Sequence, residues 1–373
     1  MSEAIPTTTD LYDLFERQAR TRPDAPALRA LSGEVGYAEL EARAARLAAR
    51  LARAGVGAGS VVGLLLPRSA HAVVGMLATL RLGAAYLPLD PAQPPARLAF
   101  MVATARAALV LTDGDREDVA RGLGASVVRA DAEGVPTSAE APARARHDVA
   151  YVIFTSGSTG TPKGVPIRNE GVVNLLQGQT YADFGPGRTH LMLSSLGFDF
   201  STLEIWGALL TGGTLALYEP VFVSLHDVTR HTRALGVTTL MMTPGLFHLL
   251  VGERALELHG VDHVLLGGDV PAPRLIRDFL RAAPGARVTN VYGPTENTVF
   301  TTCHTLHSPD FPEGPVPLGL PIPGTQALVM DSEGHALPPG EEGEIWLGGV
   351  GLTPGYLGRP DLDEAAFVRH PLA

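Results

Sequence analysis

With 373 residues, 45% of them hydrophobic and 18% charged, the chain can bury a large core, organised in roughly two to three folding units. A formal net charge of -10 provides no global basic field, which argues against a nucleic-acid partner but leaves room for a nucleotide in a local basic pocket. The single cysteine, Cys303, excludes an internal disulfide and any cysteine-rich metal site, and His231, His248 and the other histidines lack metal-ligand spacing.

The start, Met1-Ser2-Glu3-Ala4, has neither the basic patch nor the apolar run of a signal peptide. The most apolar region, 61–89, is broken by Pro67, Arg68 and Arg81. The expectation is a cytoplasmic protein with no membrane partner. From residue 61 onward, short runs of Val, Leu and Ile alternate with segments of helical period, the pattern of βα units and parallel sheet. Strands are predicted at 61–66, 85–89, 108–112 and 126–130, with helices at 69–82 and 96–107. A second series follows at 190–194, 214–218, 238–242, 263–266 and 288–291.

The predicted fold class is α/β: two doubly wound, mainly parallel sheet layers with helices, and a smaller β-rich unit, a partial barrel, at the C-terminal end. The first layer is assigned to 10–135 and the second, with the glycine loop described next, to 149–314. Residues 131–148, rich in Ala, Pro, Glu and Arg, are read as the linker between them. The β-rich unit spans 315–373, with strands at 326–330 and 343–347.

The strongest local signal is an apolar strand, Tyr151-Val152-Ile153-Phe154, that opens into Thr155-Ser156-Gly157-Ser158-Thr159-Gly160-Thr161-Pro162-Lys163-Gly164. Glycines permit close approach, consecutive backbone N–H groups form an anion nest, hydroxyls add donors, and Lys163 supplies charge. These residue types suit a triphosphate. Gly157 and Lys163 have Walker spacing, but Pro162 replaces its second glycine and Gly164 its magnesium-binding Ser/Thr, which disfavours a kinase-like or motor NTPase.

At this loop the sequence resembles the adenylate-forming superfamily, whose TSGSTGTPKG signature is unbroken here. Further segments narrow the resemblance to amino-acid adenylation domains of nonribosomal peptide synthetases, and specifically to their large N-terminal part. They are Gly36-Tyr37-Ala38-Glu39-Leu40, the run from Leu80 to Asp90, Phe198-Asp199-Phe200-Ser201, Asn290-Val291-Tyr292-Gly293-Pro294-Thr295-Glu296, and Gly343-Glu344-Ile345 through Gly355-Tyr356-Leu357. The resemblance implies ATP and Mg²⁺ as cofactors, with Lys163, Thr295 and Glu296 as the catalytic set. Tyr292 would stack on adenine, Thr295 would contact the α-phosphate and Glu296 would hold magnesium. It extends the nucleotide site over Thr155, Ser156, Gly157, Ser158, Thr159, Gly160, Gly268, Asp269, Asn290 and Gly293. Asp199 would bind the ammonium of an amino acid, and Phe200, Leu203, Met241, Leu265, Gly267, Val291, Val299 and Phe300 would line the side-chain pocket.

Taken on its own, Asp199 could also be a helix cap, and the apolar residues ordinary core. With the resemblance, the nearly all-apolar wall implies a hydrophobic or aliphatic α-amino acid, and the bulk of Phe200 makes a short, displaced or β-amino acid the alternative. The implied reaction is attack of the substrate carboxylate on the α-phosphorus of ATP, followed by transfer to the phosphopantetheine thiol of a carrier protein. The family's Thr-Gly-Asp motif would fall soon after Phe367, and its hinge and small C-terminal lobe later still. The expectation for these 373 residues alone is weak binding, poor adenylation and negligible thiolation. Two departures stand out: Arg168-Asn169-Glu170 occupies the place of a common histidine, and Asp269 that of a common glutamate. Two rival readings are an acyl- or aryl-CoA ligase, against which Asp199 argues because its carboxylate would lack a partner, and a non-catalytic ligand-binding or docking module. An oxidoreductase is disfavoured by the lack of a GxGxxG turn after a strand.

Overall fold

Most of the central runs of Val, Leu and Ile become strands that are buried along their whole length, because helices or a second layer cover both faces, whereas the run at Ser126–Arg129, on a sheet edge, is only partly buried. The structure, a computed structural model, describes residues 10–132, 143–156, 160–254, 258 and 260–369. Gly157, Ser158 and Thr159 of the glycine loop, 133–142 of the expected linker and 370–373 of the last unit lie outside the described residues.

In chain order the strands are β1 (Pro26–Ala30), β2 (Gly33–Gly36), β3 (Val61–Leu65), β4 (Ala85–Pro88), β5 (Leu109–Thr112), β6 (Ser126–Arg129), β7 (Val149–Thr155), β8 (Lys163–Arg168) and β9 (Thr189–Met192). They continue as β10 (Thr214–Leu217), β11 (Thr239–Met242), β12 (His263–Leu266), β13 (Arg287–Tyr292), β14 (Thr302–Leu306), β15 (Leu320–Pro321), β16 (Thr325–Met330) and β17 (Glu344–Gly349). Among the described residues they form a six-stranded sheet, β6-β5-β3-β4-β7-β8, a nine-stranded sheet, β15-β14-β13-β12-β11-β9-β10-β1-β2, and the two-stranded β16-β17. The two large sheets are mainly parallel, with antiparallel pairs at β7-β8, β1-β2, β13-β14 and β14-β15. The expected α/β class and the β-rich end are both present.

Hydrogen bonding does not follow the predicted division at the linker. β7 and β8, assigned by sequence to the second layer, extend the first sheet through β4, whereas the β1-β2 hairpin joins the second sheet through β10. Strand order is set by long-range pairing, which a period-based reading of contiguous segments does not contain. The described part of the linker is also held firmly. Arg144 pairs with Asp10 and Asp13, Arg146 lies 3.1 Å from Asp13, and the Asn169 side chain donates to the carbonyls of His147 and Asp148. The scattered arginines that make the segment look like a linker are what fasten it.

The helix Phe200–Leu209 lies between the sheets and is buried at every position. Its sequence, Phe-Ser-Thr-Leu-Glu-Ile-Trp-Gly-Ala-Leu, is apolar nearly all round, as a helix enclosed on all sides requires. Trp206, fully buried, donates through Nε1 to the Tyr86 hydroxyl at 3.0 Å, and Tyr86 stacks on Tyr151 with ring centroids 5.1 Å apart. The Tyr151 hydroxyl lies 2.7 Å from Thr202 Oγ1. The helix carries the second sheet's functional residues, yet strands of the first sheet clamp it. Truncating such a core aromatic to alanine typically costs about 3–5 kcal/mol.

Candidate active site

The start of this central helix places the first functional side chain. Asp199 precedes the helix with backbone angles already helical, φ -64° and ψ -18°, and its carboxylate makes no capping bond. The role of cap, open to an aspartate at that position, is not the one it fills. Asp199 is 6% exposed and accepts a 2.5 Å hydrogen bond from the Thr295 hydroxyl. Burial is the main cause lifting its pKa from 3.8 to about 6, while the Thr295 bond opposes the rise and the charge of Glu296 adds to it. At neutral pH this carboxylate is therefore mostly ionised in an apolar wall, and its partner across the site is a neutral hydroxyl. A cation placed there would be strongly favoured.

The residues expected to line a side-chain pocket belong to the core. Phe200, Leu203, Met241, Leu265, Val291, Val299 and Phe300 are all buried and share one apolar cluster. Gly267 completes that wall by the side chain it lacks. A Cβ there would stand 2.8 Å from Val291 Cγ2 and 3.1 Å from Phe200 Cζ, so the ring of Phe200 occupies space that only glycine leaves open. On the other flank, Phe200 and Met241 border a cavity of about 430 Å³ that also takes in Leu196, Phe198, Ser195 and Asp90.

Sequence reading missed Glu204, although its signal resembled that of Asp199: a lone charge in an apolar run. It is 2% exposed and accepts hydrogen bonds from the Leu193 N–H at 3.1 Å and the Ser194 hydroxyl at 2.8 Å. Burial pushes its pKa up to about 7. Glu204 ties the end of β9 to the helix and so fixes the segment leading to Asp199.

Lys163 stands on a hairpin. β7 and β8 pair antiparallel with Thr155 opposite Lys163, so the lysine returns to the mouth of the glycine loop that leaves after Thr155. Ser156 and Gly160 are both exposed at that mouth. The Lys163 ammonium lies 4.5 Å from the ring centroid of Tyr356, and the Tyr356 hydroxyl donates to Glu296 Oε1 at 2.7 Å. A hard-oxygen carboxylate oriented by a phenol hydroxyl suits a divalent cation such as Mg²⁺ beside a polyphosphate.

β13 ends on Tyr292. Tyr292, 37% exposed, borders a cavity of about 460 Å³ shared with Glu296, Trp346, Tyr356 and Phe367. Gly293 follows because the chain passes too close for any side chain: a Cβ would sit 2.4 Å from Phe300 Cα and 2.6 Å from the Thr301 nitrogen. The turn Thr295–Asn297 then runs into Thr298 and Val299 at φ 52° and 69°, a left-handed backbone that β-branched residues rarely adopt. Such strain costs of order 1–3 kcal/mol per residue, and here it is compensated by surrounding bonds, among them Thr298 Oγ1 to the Gly351 carbonyl at 2.6 Å.

Three expectations change in detail. Asn290 is 3% exposed and its side-chain N–H donates to the Pro317 carbonyl at 2.9 Å, fastening a loop rather than facing the Tyr292 cavity. Arg168 pairs with Glu170 at 2.8 Å, and Asn169 Oδ1 accepts from the Leu11 N–H at 3.1 Å, so each of the three has a structural partner. Gly268 and Asp269 are exposed after β12, where Asp269 Oδ1 accepts from the Val270 N–H at 2.7 Å. Among the described residues no helix is long and apolar enough to cross a membrane.

Residues 15–357 match the family model of the AMP-binding enzyme. The chain is similar to a component of the linear gramicidin synthase of Brevibacillus parabrevis, 40% identical over 98% of this chain but 5% of that protein. It spans only a small part of the curated relatives it matches, 14% of a plipastatin synthase component from Bacillus subtilis (strain 168), which is 37% identical over 99% of this chain. Among solved structures it resembles holo-PA1221, an NRPS protein containing adenylation and PCP domains, bound to a vinylsulfonamide inhibitor. That match has TM-score 0.90 and 31% identity over 98% of this chain and 63% of that one. The N-terminal subdomain of Klebsiella oxytoca NpsA in complex with 3-hydroxybenzoyl-AMSN matches with TM-score 0.88 and 29% identity, over 97% of this chain and 92% of that one.

Proposed function

Because the chain belongs to the AMP-binding enzyme family, as an adenylation domain of nonribosomal-peptide-synthetase type, we propose that it activates an amino acid with ATP, forming an aminoacyl-adenylate and pyrophosphate. The observation that carries the amino-acid part is Asp199, a buried carboxylate beside an apolar wall with a neutral hydroxyl as its partner. A substrate ammonium would compensate its burial, whereas a fatty or aryl acid would leave it unmatched. This separates the proposal from a CoA ligase.

In the reaction, a carboxylate oxygen of the substrate attacks the α-phosphorus, the bond to the bridging oxygen breaks, and pyrophosphate leaves with that electron pair. Two anions must meet, so the protein's contribution is alignment and charge neutralisation. Asp199 would hold the ammonium, and with it the carboxylate, in one place. Lys163 and the backbone N–H groups of the loop would face the polyphosphate, Thr295, its hydroxyl released from Asp199 once the ammonium binds there, would donate to the α-phosphate, and Tyr292 would carry the adenine. Mg²⁺, when bound at Glu296, would neutralise phosphate charge. No protein nucleophile takes part.

The buried Phe200, Leu203, Met241, Leu265, Val291, Val299 and Phe300 favour a hydrophobic or aliphatic side chain. The contact of Phe200 with the Gly267 wall favours a short one, or a β-amino acid whose chain is displaced. The product would pass to the phosphopantetheine thiol of a carrier protein, in the cytoplasm. A small C-terminal lobe of the family's kind, supplied in trans or by extension, would raise turnover.

The test is amino-acid-dependent ATP–pyrophosphate exchange over a panel of α- and β-amino acids, with fatty and aryl acids as controls, on the chain with and without such a lobe. Exchange with a hydrophobic amino acid that disappears in Asp199→Ala is expected. Silence of folded protein in both forms would replace this reading with a binding module.

A further inference from the structure

Tyr356 has no role in the reaction outlined above, yet it touches both charged ends of the site. It is 7% exposed and lies just before the helix Pro360–Ala366. Its hydroxyl donates to Glu296 Oε1 at 2.7 Å, and its ring face lies 4.5 Å from the Lys163 ammonium. The backbone fixes it from two sides: its own N–H donates to Asp363 Oδ1 at 2.7 Å, and the next N–H, of Leu357, donates to the Gly164 carbonyl at 2.9 Å.

The neighbouring Thr353 makes the same link in backbone terms. Its N–H donates to the Glu296 carbonyl at 2.8 Å and its hydroxyl to the Pro166 carbonyl at 2.6 Å. Residues 353–357 thus join the β7-β8 hairpin of the first sheet to the Thr295–Asn297 turn of the second. Among the described residues, Tyr356 is the one in that stretch whose side chain meets both Glu296 and Lys163. Its hydroxyl has a single proton, and that proton goes to Glu296.

We propose that Tyr356 is a positioning residue, holding Glu296 in place for a divalent cation and Lys163 for the polyphosphate at a spacing set by its ring. This rests on the nucleotide-binding part of the function proposed above. Carboxylate ligands of metals are commonly oriented by a further hydrogen bond, and removing it typically costs 10–100-fold in metal affinity. A cation over an aromatic face is attracted by the negative face of the ring, so Lys163 is steered by the ring and not by the hydroxyl.

The two functions of the side chain can be separated. Tyr356→Phe keeps the ring and removes the hydroxyl, and Tyr356→Leu removes both. ATP binding is measured calorimetrically on the full chain in EDTA and across a MgCl₂ titration, with Glu296→Gln alongside. For Tyr356→Phe the expected result is unchanged ATP affinity in EDTA and a Mg²⁺ requirement raised about tenfold or more. For Tyr356→Leu it is the same rise, plus metal-free ATP affinity weakened roughly threefold to tenfold. A Tyr356→Phe protein with the wild-type Mg²⁺ requirement, while Glu296→Gln is impaired, would overturn the positioning role alone. Wild-type protein that binds no ATP, or a Glu296→Gln protein with an unchanged Mg²⁺ requirement, would overturn the assignment of the site and this inference with it.

Discussion

Replacing Asp199 with asparagine should make the ligand-free protein more stable at neutral pH while abolishing its use of amino acids. Asparagine keeps an oxygen that can accept the Thr295 hydroxyl, so the main change is removal of a buried charge. The carboxylate's folded-state pKa is raised from 3.8 to about 6, chiefly by burial. A raised acid destabilises the fold only where it is ionised: the penalty is absent below 3.8, grows as pH climbs to about 6, and is constant above that. At about 1.4 kcal/mol per pH unit, holding Asp199 ionised at pH 7.5 costs about 3 kcal/mol. With an unfolding entropy of about 2.1 cal/mol/K per residue, a chain this long should melt about 4 °C higher as Asp199→Asn. Differential scanning of both proteins between pH 5 and 8 should show a gap that widens with pH and levels off above pH 7. Amino-acid-dependent exchange should be lost in the same variant. A variant less stable than wild type at pH 7.5, or a gap that does not change with pH, would refute the account of Asp199 as an uncompensated buried charge.

Three further perturbations address other parts of the site. Lys163→Ala should leave the melting temperature near that of wild type and weaken ATP binding by about 10–100-fold, as expected for losing a charge-assisted contact of about 1.5–3 kcal/mol; calorimetry reads this directly. Gly293→Ala forces a Cβ to within 2.4 Å of the Phe300 backbone, so it should destabilise the chain by about 1–3 kcal/mol in denaturant melts and displace Tyr292, lowering ATP affinity. Phe200→Ala clears the ring that packs over Gly267, and exchange should shift toward bulkier hydrophobic amino acids. Unchanged selectivity would remove Phe200 from the pocket.

Much of the site was legible in local sequence because its chemistry demands unusual residues. A run of glycines and hydroxyls ending in Lys163, a carboxylate at Asp199 within an apolar stretch, and the Tyr-Gly-Pro-Thr-Glu turn each violate what a plain core or loop would use. Glu204 carried the same kind of signal and could have been found by it. Asn290 shows the opposite failure: it stands two residues before Tyr292 in the same motif, but its side-chain N–H is taken up by the Pro317 carbonyl, a partner 27 residues away that no local pattern announces.

The sequence by itself determined the α/β class, the positions of most strands and helices, and the residue types at the phosphate loop, since these follow from short-range periodicity and local backbone chemistry. Tertiary structure decided which sheet each strand joins, placing β7 and β8 with the first sheet and the β1-β2 hairpin with the second. It also decided that Asp199 meets Thr295, separated by 96 residues, and that Glu296 meets Tyr356, separated by 60. Those pairings depend on how two sheets close around one buried helix, and packing between segments far apart in the chain leaves no period in the sequence to read.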